Sequence, residues 1–329
     1  MSSFGIPGLS LELERRLEAG MSSVEELLAS SIQSNYELLT HTSHHLVDAG
    51  GKRLRPLLTL LSAEFGNPNA PGVVASAVVS ELTHLATLYH DDVMDEASLR
   101  RGVESANKRW GNTVAILAGD FLFAKSSALL ADLGPEAVRL QAHTFERLVV
   151  GQIMETIGPS EGDDLHAHYL KVVADKTGSL LSASAQYGAL ASGAGDSVRK
   201  VLGEFGERIG VAFQIADDVL DITSESGVSG KTPGTDLREG VPTLVTLHVI
   251  TSKDPADSEL RQLLLSPITS EPIVSQVLSK LRTHRAIESA RIQLHEYSDG
   301  ARQVLAELDD CEAKEALMAL CDIVIDRSA

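Results

Sequence analysis

Cysteine is nearly absent from this 329-residue chain, which has only Cys311 and Cys321. Two thiols with no neighbouring ligand residues make neither a disulfide framework nor a zinc site. A reducing, cytoplasmic setting is therefore expected. Positive charge is also scarce: Lys and Arg total 28 against 46 Asp and Glu, a net charge of −18. That excludes nucleic acid as a partner and disfavours anionic membrane surfaces. Aromatic residues are 4% of the chain, with one Trp, Trp110, too few to wall a cavity that stabilises migrating cations. No uninterrupted apolar run of about 18 residues occurs, so no transmembrane helix is expected. No basic stretch followed by an apolar core marks a leader. Strand-type alternation is almost missing, and no Ser/His/Asp or Cys/His set suggests a nucleophile.

What the chain does have is carboxylates at helical spacing. His90-Asp91-Asp92-Val93-Met94-Asp95-Glu96 follows the apolar run Val73 to Leu88. Asp91 and Asp95 are four apart, so on a helix they share one face. Partly buried like charges need a counter-charge to stay ionised, and a hard divalent cation binds carboxylate oxygens. One such motif could equally be a solvated helix face. The pattern recurs in Phe213-Gln214-Ile215-Ala216-Asp217-Asp218-Val219-Leu220-Asp221, again after an apolar run. Two such clusters can face each other across a cavity and hold several Mg2+ ions. Substrate phosphates commonly complete Mg2+ coordination, so the implied ligand is a phosphorylated or diphosphorylated molecule.

The remainder reads as helix. Residues 1–8, with Gly5, Pro7 and Gly8, are expected to be loose. Helices fill 9–47, with Ser22 or Ser23 as an N-cap before Val24. Gly50-Gly51 stops the pattern, and a helix resumes with Pro56 in its first turn. The Asp-rich helix is placed at about 73–97. Further helices fall at 113–130, 136–157, 165–174, 179–192 and 196–223, then from about 243 to 326. Ala, Gly and Ser in the segment from 179 permit close helix packing. Residues 224–240 show no apolar period and read as a long functional loop. The fold class is all-α: one large helical bundle, a single domain spanning 1–329.

Basic residues cluster in four places. Lys52, Arg53 and Arg55 precede Pro56, where helix-start N–H groups also favour phosphate. Arg100-Arg101-Gly102 follows the first motif, and a guanidinium fork matches phosphate oxygens. Lys176-Thr177-Gly178 and Gly230-Lys231-Thr232 each place a Lys and a hydroxyl in what reads as a Gly-containing turn. The alternative at each is a solvated loop or a salt bridge to nearby acids.

Taken in order, Gly51-Lys52-Arg53-Leu54-Arg55-Pro56, the two Asp-Asp-x-x-Asp motifs, Arg100-Arg101-Gly102, Lys176-Thr177, Phe213-Gln214 and Gly230-Lys231 resemble the trans-isoprenyl diphosphate synthases, or polyprenyl synthetases. The resemblance covers about residues 30 to 325. It implies an isoprenoid-synthase bundle around a central cavity. It also implies a Mg2+-dependent prenyltransferase that condenses isopentenyl diphosphate with an allylic diphosphate.

Residue by residue, it implies that Asp91, Asp95 and Asp217 bind two or three Mg2+ ions. Asp218 and Asp221 would be direct or water-mediated ligands. Arg100, Lys176, Thr177, Gln214 and Lys231 would surround the allylic diphosphate, with Lys176 and Lys231 counted as catalytic. Lys52, Arg55, His84 and Arg101 would hold isopentenyl diphosphate. Family members often carry Gly-Lys after the lid loop; here Gly240 is followed by Val241, so a basic contact is missing or replaced. Val245 likewise stands where a Pro is common.

The expected chemistry ionises the allylic C–O bond, lets the isopentenyl double bond attack, and loses a proton. The small residues Thr83, Ala86 and Thr87 upstream of Asp91 imply an open chain-length wall. The expected product is therefore longer than C20, with a C20 geranylgeranyl product as the alternative. Phe121 and Phe123 on the facing helix are the candidate floor. A class I terpene cyclase is disfavoured by Asp221, where Ser or Thr would stand, although Glu225 fits that motif's end. A non-catalytic subunit is disfavoured because both motifs are intact. The resemblance suggests a homodimer.

Overall fold

The computed structural model describes residues 4–224 and 233–326. It is helical throughout, apart from one two-stranded hairpin among the described residues. The chain divides into two compact units. The first is Met1–Glu146, Leu180–Gly206 and Glu307–Leu317; the second is Arg147–Ser179, Glu207–Ala306 and Met318–Ala329.

The first unit begins with α1 (Leu11–Ser31). Its cap is Ser10, which accepts from the Leu13 N–H, not Ser22 or Ser23 as the sequence suggested. Ser23 instead donates to the Ala19 carbonyl one turn back. Leu13, Leu17, Val24 and Leu28 form one buried stripe that keeps the helix continuous past it. Ile6 is fully buried, so the segment expected to be loose is anchored there.

Next come α2 (Glu37–Asp48) and α3 (Leu54–Ala63), with Pro56 in the first turn of α3 as expected. Then α4 (Gly72–Met94) carries the first motif, and α5 (Ala106–Trp110) and α6 (Asn112–Leu133) follow. α4 is the core helix of this unit, packed against α1, α3 and α6. Gly119 makes the α4–α6 approach possible, because a Cβ there would collide with the His90 ring and crowd the Ala86 carbonyl. α9 (Ser179–Ser192) meets α3 the same way: a Cβ on Gly188 would strike the Thr59 carbonyl. Thr59 Oγ1 donates to the Ser184 carbonyl at 2.9 Å.

α4 and α6 are each long and apolar enough to cross a membrane by length and composition. The uninterrupted-run criterion missed them because it does not admit the few charges such a window tolerates. The α4 window is mostly buried in the protein, and about a third of the α6 window is (67% and 33%).

α7 (Pro135–Ile157) leads to α8 (Leu165–Val173), which Asp164 caps by accepting from the His166 and Ala167 N–H groups. A π-helical turn, Ala174–Gly178, joins α8 to α9. α10 (Asp196–Thr223) carries the second motif. Part of the expected loop at 224–240 is helical: α11 spans Thr235–Glu239 between Gly234 and Gly240, both at positive φ. In the second unit α12 (Leu244–Ile250) packs on α8 and on α15 (Arg285–Leu305), with α13 (Ser258–Leu263) and α14 (Glu271–Arg282) beside them. α16 (Glu312–Asp326) closes the described chain.

Candidate active site

In the first unit α4 ends at Met94, short of the expected 97. Asp95 is its C-cap, and its N–H donates to the Asp91 carbonyl at 2.8 Å, so the i,i+4 pairing survives at the helix end. Asp92 is wholly buried and accepts from Arg100 Nε at 2.6 Å. Its second oxygen is buried without a partner. Burial raises the Asp92 carboxyl above its usual range, against the opposing pull of Arg100.

Arg100 belongs to a hairpin of β1 (Leu99–Arg100) and β2 (Val103–Glu104). Its central turn residues, Arg101 (φ 53°) and Gly102 (φ 78°), are both left-handed, as a two-residue type I′ turn requires. The turn aims Arg101 at the main chain: it donates to the Leu46 carbonyl at 2.7 Å and to that of Gly50.

A basic pocket forms around one buried acid, Glu81, which is 2% exposed. Arg53 Nη1 lies 2.9 Å from it and Arg101 Nη2 3.8 Å. Arg53 also pairs with Glu25 at 2.6 Å. These acids outweigh burial and hold the Arg53 guanidinium above its usual value. Arg55 differs. Dense surroundings and then Arg101 lower its guanidinium to about 10, with Glu81 opposing, and its Nε is buried with no partner.

His84 is lowered well below its usual value by burial, then by Arg55, Arg101, Arg100 and Arg53, so it is neutral near pH 7. Arg55 and His84 nevertheless keep part of their surface accessible. Lys52 is exposed. The structure thus gathers Arg55, His84 and Arg101, and adds Arg53, to which the sequence reading gave no substrate, and Glu81, which it did not single out. An acid inside the apolar run Val73–Leu88 was the available signal.

The proposed wall residues divide. Ala86 is fully buried in a core with Ala115, Ala118 and Leu122 of α6. Thr87 is half-buried and donates to the His84 carbonyl at 2.8 Å. Thr83 donates to the Val79 carbonyl at 2.8 Å and accepts from Gln141 at 2.9 Å. Phe123 packs against His90 and Phe145 at centroid distances of 5.7 and 4.7 Å. Phe121 lies under Lys125.

In the second unit the Lys176-Thr177 pair lies in the π-helical turn, not in an open loop. Lys176 pairs with Glu155. Thr177 Oγ1 donates to Gln214 Oε1 at 3.2 Å, and Gln214 Nε2 donates to Asp218 Oδ1 at 3.0 Å. The Tyr169 hydroxyl donates to Asp218 Oδ2 at 2.5 Å. Both Asp218 oxygens are therefore engaged. Burial, with Asp217 and Asp221 adding repulsion, pushes its carboxyl up to about 7 against the two donors.

Asp221 accepts from the Thr235 and Asp236 N–H groups at 3.2 and 3.3 Å, which tethers the start of α11. Val241 donates its N–H to the Asp236 carbonyl, and Val245 is buried. Lys231, with Gly230, Thr232 and Glu225, lies outside the described residues. Tyr169 was not foreseen, because a buried Tyr on an apolar helix carries no pattern of its own.

Among the described residues no three His, Cys, Asp or Glu groups form a ready-made metal cage. The donors are nonetheless the hard oxygens Mg2+ prefers, and Mg2+ normally completes its sphere with waters and substrate phosphates. In the first unit Asp91 and Asp95 carry such oxygens; in the second Asp217 and Asp221 do, Asp221 while accepting from the Thr235 and Asp236 N–H groups.

The bundle has the all-α isoprenoid-synthase fold. A crystal structure of geranylgeranyl pyrophosphate synthase from Corynebacterium glutamicum, complexed with calcium and isoprenyl diphosphate, superposes with a TM-score of 0.87. It is 43% identical and covers 97% of this chain and 98% of its own. Polyprenyl synthase from Caulobacter crescentus superposes at 0.90 with 31% identity, covering 98% and 99%. A nonaprenyl diphosphate synthase of Mycobacterium tuberculosis is 48% identical over 312 residues, 94% of this chain and 93% of the relative. The polyprenyl synthetase family profile matches residues 36–281. The chain belongs to the polyprenyl synthetase family, and it is a prenyltransferase of that class.

Proposed function

We propose that this chain condenses isopentenyl diphosphate with an allylic diphosphate to make an all-trans polyprenyl diphosphate longer than C20. The observation that carries the reading is the basic pocket of the first unit. In a protein of net charge −18, Arg53, Arg55 and Arg101 gather around Glu81, and Arg55 keeps a buried N–H without a partner. Such a surplus of guanidinium suits a diphosphate. Lys52, Arg55, His84 and Arg101 are assigned to isopentenyl diphosphate. Neutral His84 can donate or accept one hydrogen bond without adding charge. Arg100, Lys176, Thr177, Gln214 and Lys231 are assigned to the allylic diphosphate.

Asp91, Asp95, Asp217 and Asp221 are the proposed Mg2+ ligands, with Asp218 acting through its hydrogen bonds. When bound, Mg2+ supplies Lewis-acid stabilisation of the leaving diphosphate. The protein contributes positioning and fixed charge rather than a nucleophile. Thr83, Ala86 and Thr87 are the proposed chain-length wall.

The whole chain is read as one functional domain, supported by a family match that runs through both units. A homodimer in the cytoplasm completes the reading; the exposed apolar Ile116 and Leu117 on α6 suit a second copy. Mass analysis of products from labelled isopentenyl diphosphate with several allylic starters tests it. A linear product above C20 is expected. A C20 product would select the geranylgeranyl alternative, and a cyclic hydrocarbon would overturn the reading.

A further inference from the structure

The π-helical turn that carries Lys176 and Thr177 is a rare geometry, seen mostly as single turns at functional sites. Something must hold its extra residue in place. Arg147 on α7 does this with most of its donors. Its Nε donates to Asp175 Oδ1 at 2.8 Å and its Nη2 to the Ala174 carbonyl at 3.2 Å. The other edge of the guanidinium takes both Glu207 oxygens on α10, at 2.8 and 3.0 Å. Asp175 is 1% exposed, and its second oxygen is held by Lys171 at 2.7 Å.

Shape adds to charge. One helical turn after Arg147, a Cβ on Gly151 would come within 2.9 Å of Asp175 Cβ and 3.1 Å of the Lys176 nitrogen. At the far end of the turn, a Cβ on Gly178 would come within 3.1 Å of the Glu207 carbonyl. The turn is thus walled by α7 and α10 and pinned by one guanidinium, with Lys176 and Thr177 as its next two residues. Thr177 then passes that placement to Gln214 and Asp218.

We propose that Arg147 is a positioning residue for the allylic site: by clamping Ala174 and Asp175 to Glu207, it sets where Lys176 and Thr177 stand. This rests on the assignment of Lys176 and Thr177 to the allylic diphosphate. Arg147 itself touches no substrate in this scheme. Its planar fork is needed, because a lysine ammonium is a point charge that cannot span both partners in the same way.

The test is steady-state kinetics on the full chain, varying each substrate separately, with thermal unfolding in parallel. Arg147→Lys should raise the allylic KM about tenfold, leave the isopentenyl diphosphate KM within about twofold, and lower kcat less than about threefold. Gly151→Ala, which pushes the same turn one helical turn further along α7, should give the same split. A merely structural Arg147 would instead lower the melting temperature and the active fraction with both KM values unchanged, and that result overturns the proposal. Lys176→Ala separates the two levels of argument. If it leaves the allylic KM unchanged, the site assignment fails. If it raises that KM while Arg147→Lys does not, the positioning role alone fails. Should Arg147→Lys not fold, Glu207→Gln loosens only the far end of the clamp. It should show the same split at about threefold, and its absence there overturns the proposal.

Discussion

The two Asp-Asp-x-x-Asp motifs are near copies in sequence, yet they secure their middle carboxylate differently. Asp92 sits at the end of α4 against a cation, Arg100, and leaves one oxygen buried without a partner. Asp218 sits inside α10 against two neutral donors, Tyr169 and Gln214, and leaves neither oxygen over. Without a cation, burial carries the Asp218 carboxyl to about 7. In both motifs the second Asp is the buried one, because it turns from the face of its predecessor by about 100° on a helix. The outer carboxylates are thus the proposed metal ligands, and the middle one ties the helix to its surroundings.

The largest expected effect comes from breaking the outer set. Asp91→Ala and Asp217→Ala should each cut turnover by at least about a hundredfold, the scale of losing one electrostatic group from a preorganised site. Turnover close to wild type in both variants would remove the metal assignment.

Next comes the middle carboxylate of the second motif. Tyr169→Phe strips the hydroxyl that donates to Asp218 Oδ2 and should cost about 1–3 kcal/mol of stability, the usual penalty for an orphaned buried polar group. Urea unfolding measures it; an unchanged midpoint would mean that the two motifs are not anchored differently after all.

The helices leading into the motifs sharpen the contrast, since only α4 is proposed to line the path of the growing chain. Ala86→Phe forces a ring among Ala115, Ala118 and Leu122 and should cost about 1–3 kcal/mol. Thr87→Phe, on the half-buried face nearer Asp91, should leave the fold intact and shorten the product. An active Thr87→Phe enzyme with an unchanged product length would show that the tail does not pass this face.

The smallest effect concerns charge around the first motif. His84 is lowered by burial and four arginines, so the folded state leaves it neutral where the unfolded chain, at about 6.5, takes a proton. The unfolded state then binds more protons below that pH, and stability must fall as the solution is acidified through it. The slope is at most about 1.4 kcal/mol per pH unit. His84→Gln should flatten the urea midpoint between about pH 6.5 and 5; an unaltered slope would show that the arginine field does not reach this ring.

Helix after helix could be read from spacing. The bounds of the segments at 179–192 and 196–223 match the structure, and α8 starts at 165 as expected, capped by Asp164. Periodicity and capping are local, so the residues themselves carry them. Ser23 shows the limit of that reading: its hydroxyl had a nearby carbonyl to bond, and the buried stripe of α1 overrode a local cap signal. The same holds for Lys176-Thr177-Gly178, where Gly suggested an open turn, and the close approach of Gly151 and Glu207 made it a π-helical one.

For the site, the sequence by itself determined which charged residues the chain would carry and in what order, because motif spacing fixes which carboxylates share a helix face. Only the tertiary structure decided their division of labour. That Glu81 would sit at the centre of three arginines, that Tyr169 would reach Asp218, and that Arg147 would pin the Lys176 turn all depend on helices far apart in the chain. Burial and the pairing of one charge with another are properties of the packed molecule, and no local pattern encodes them.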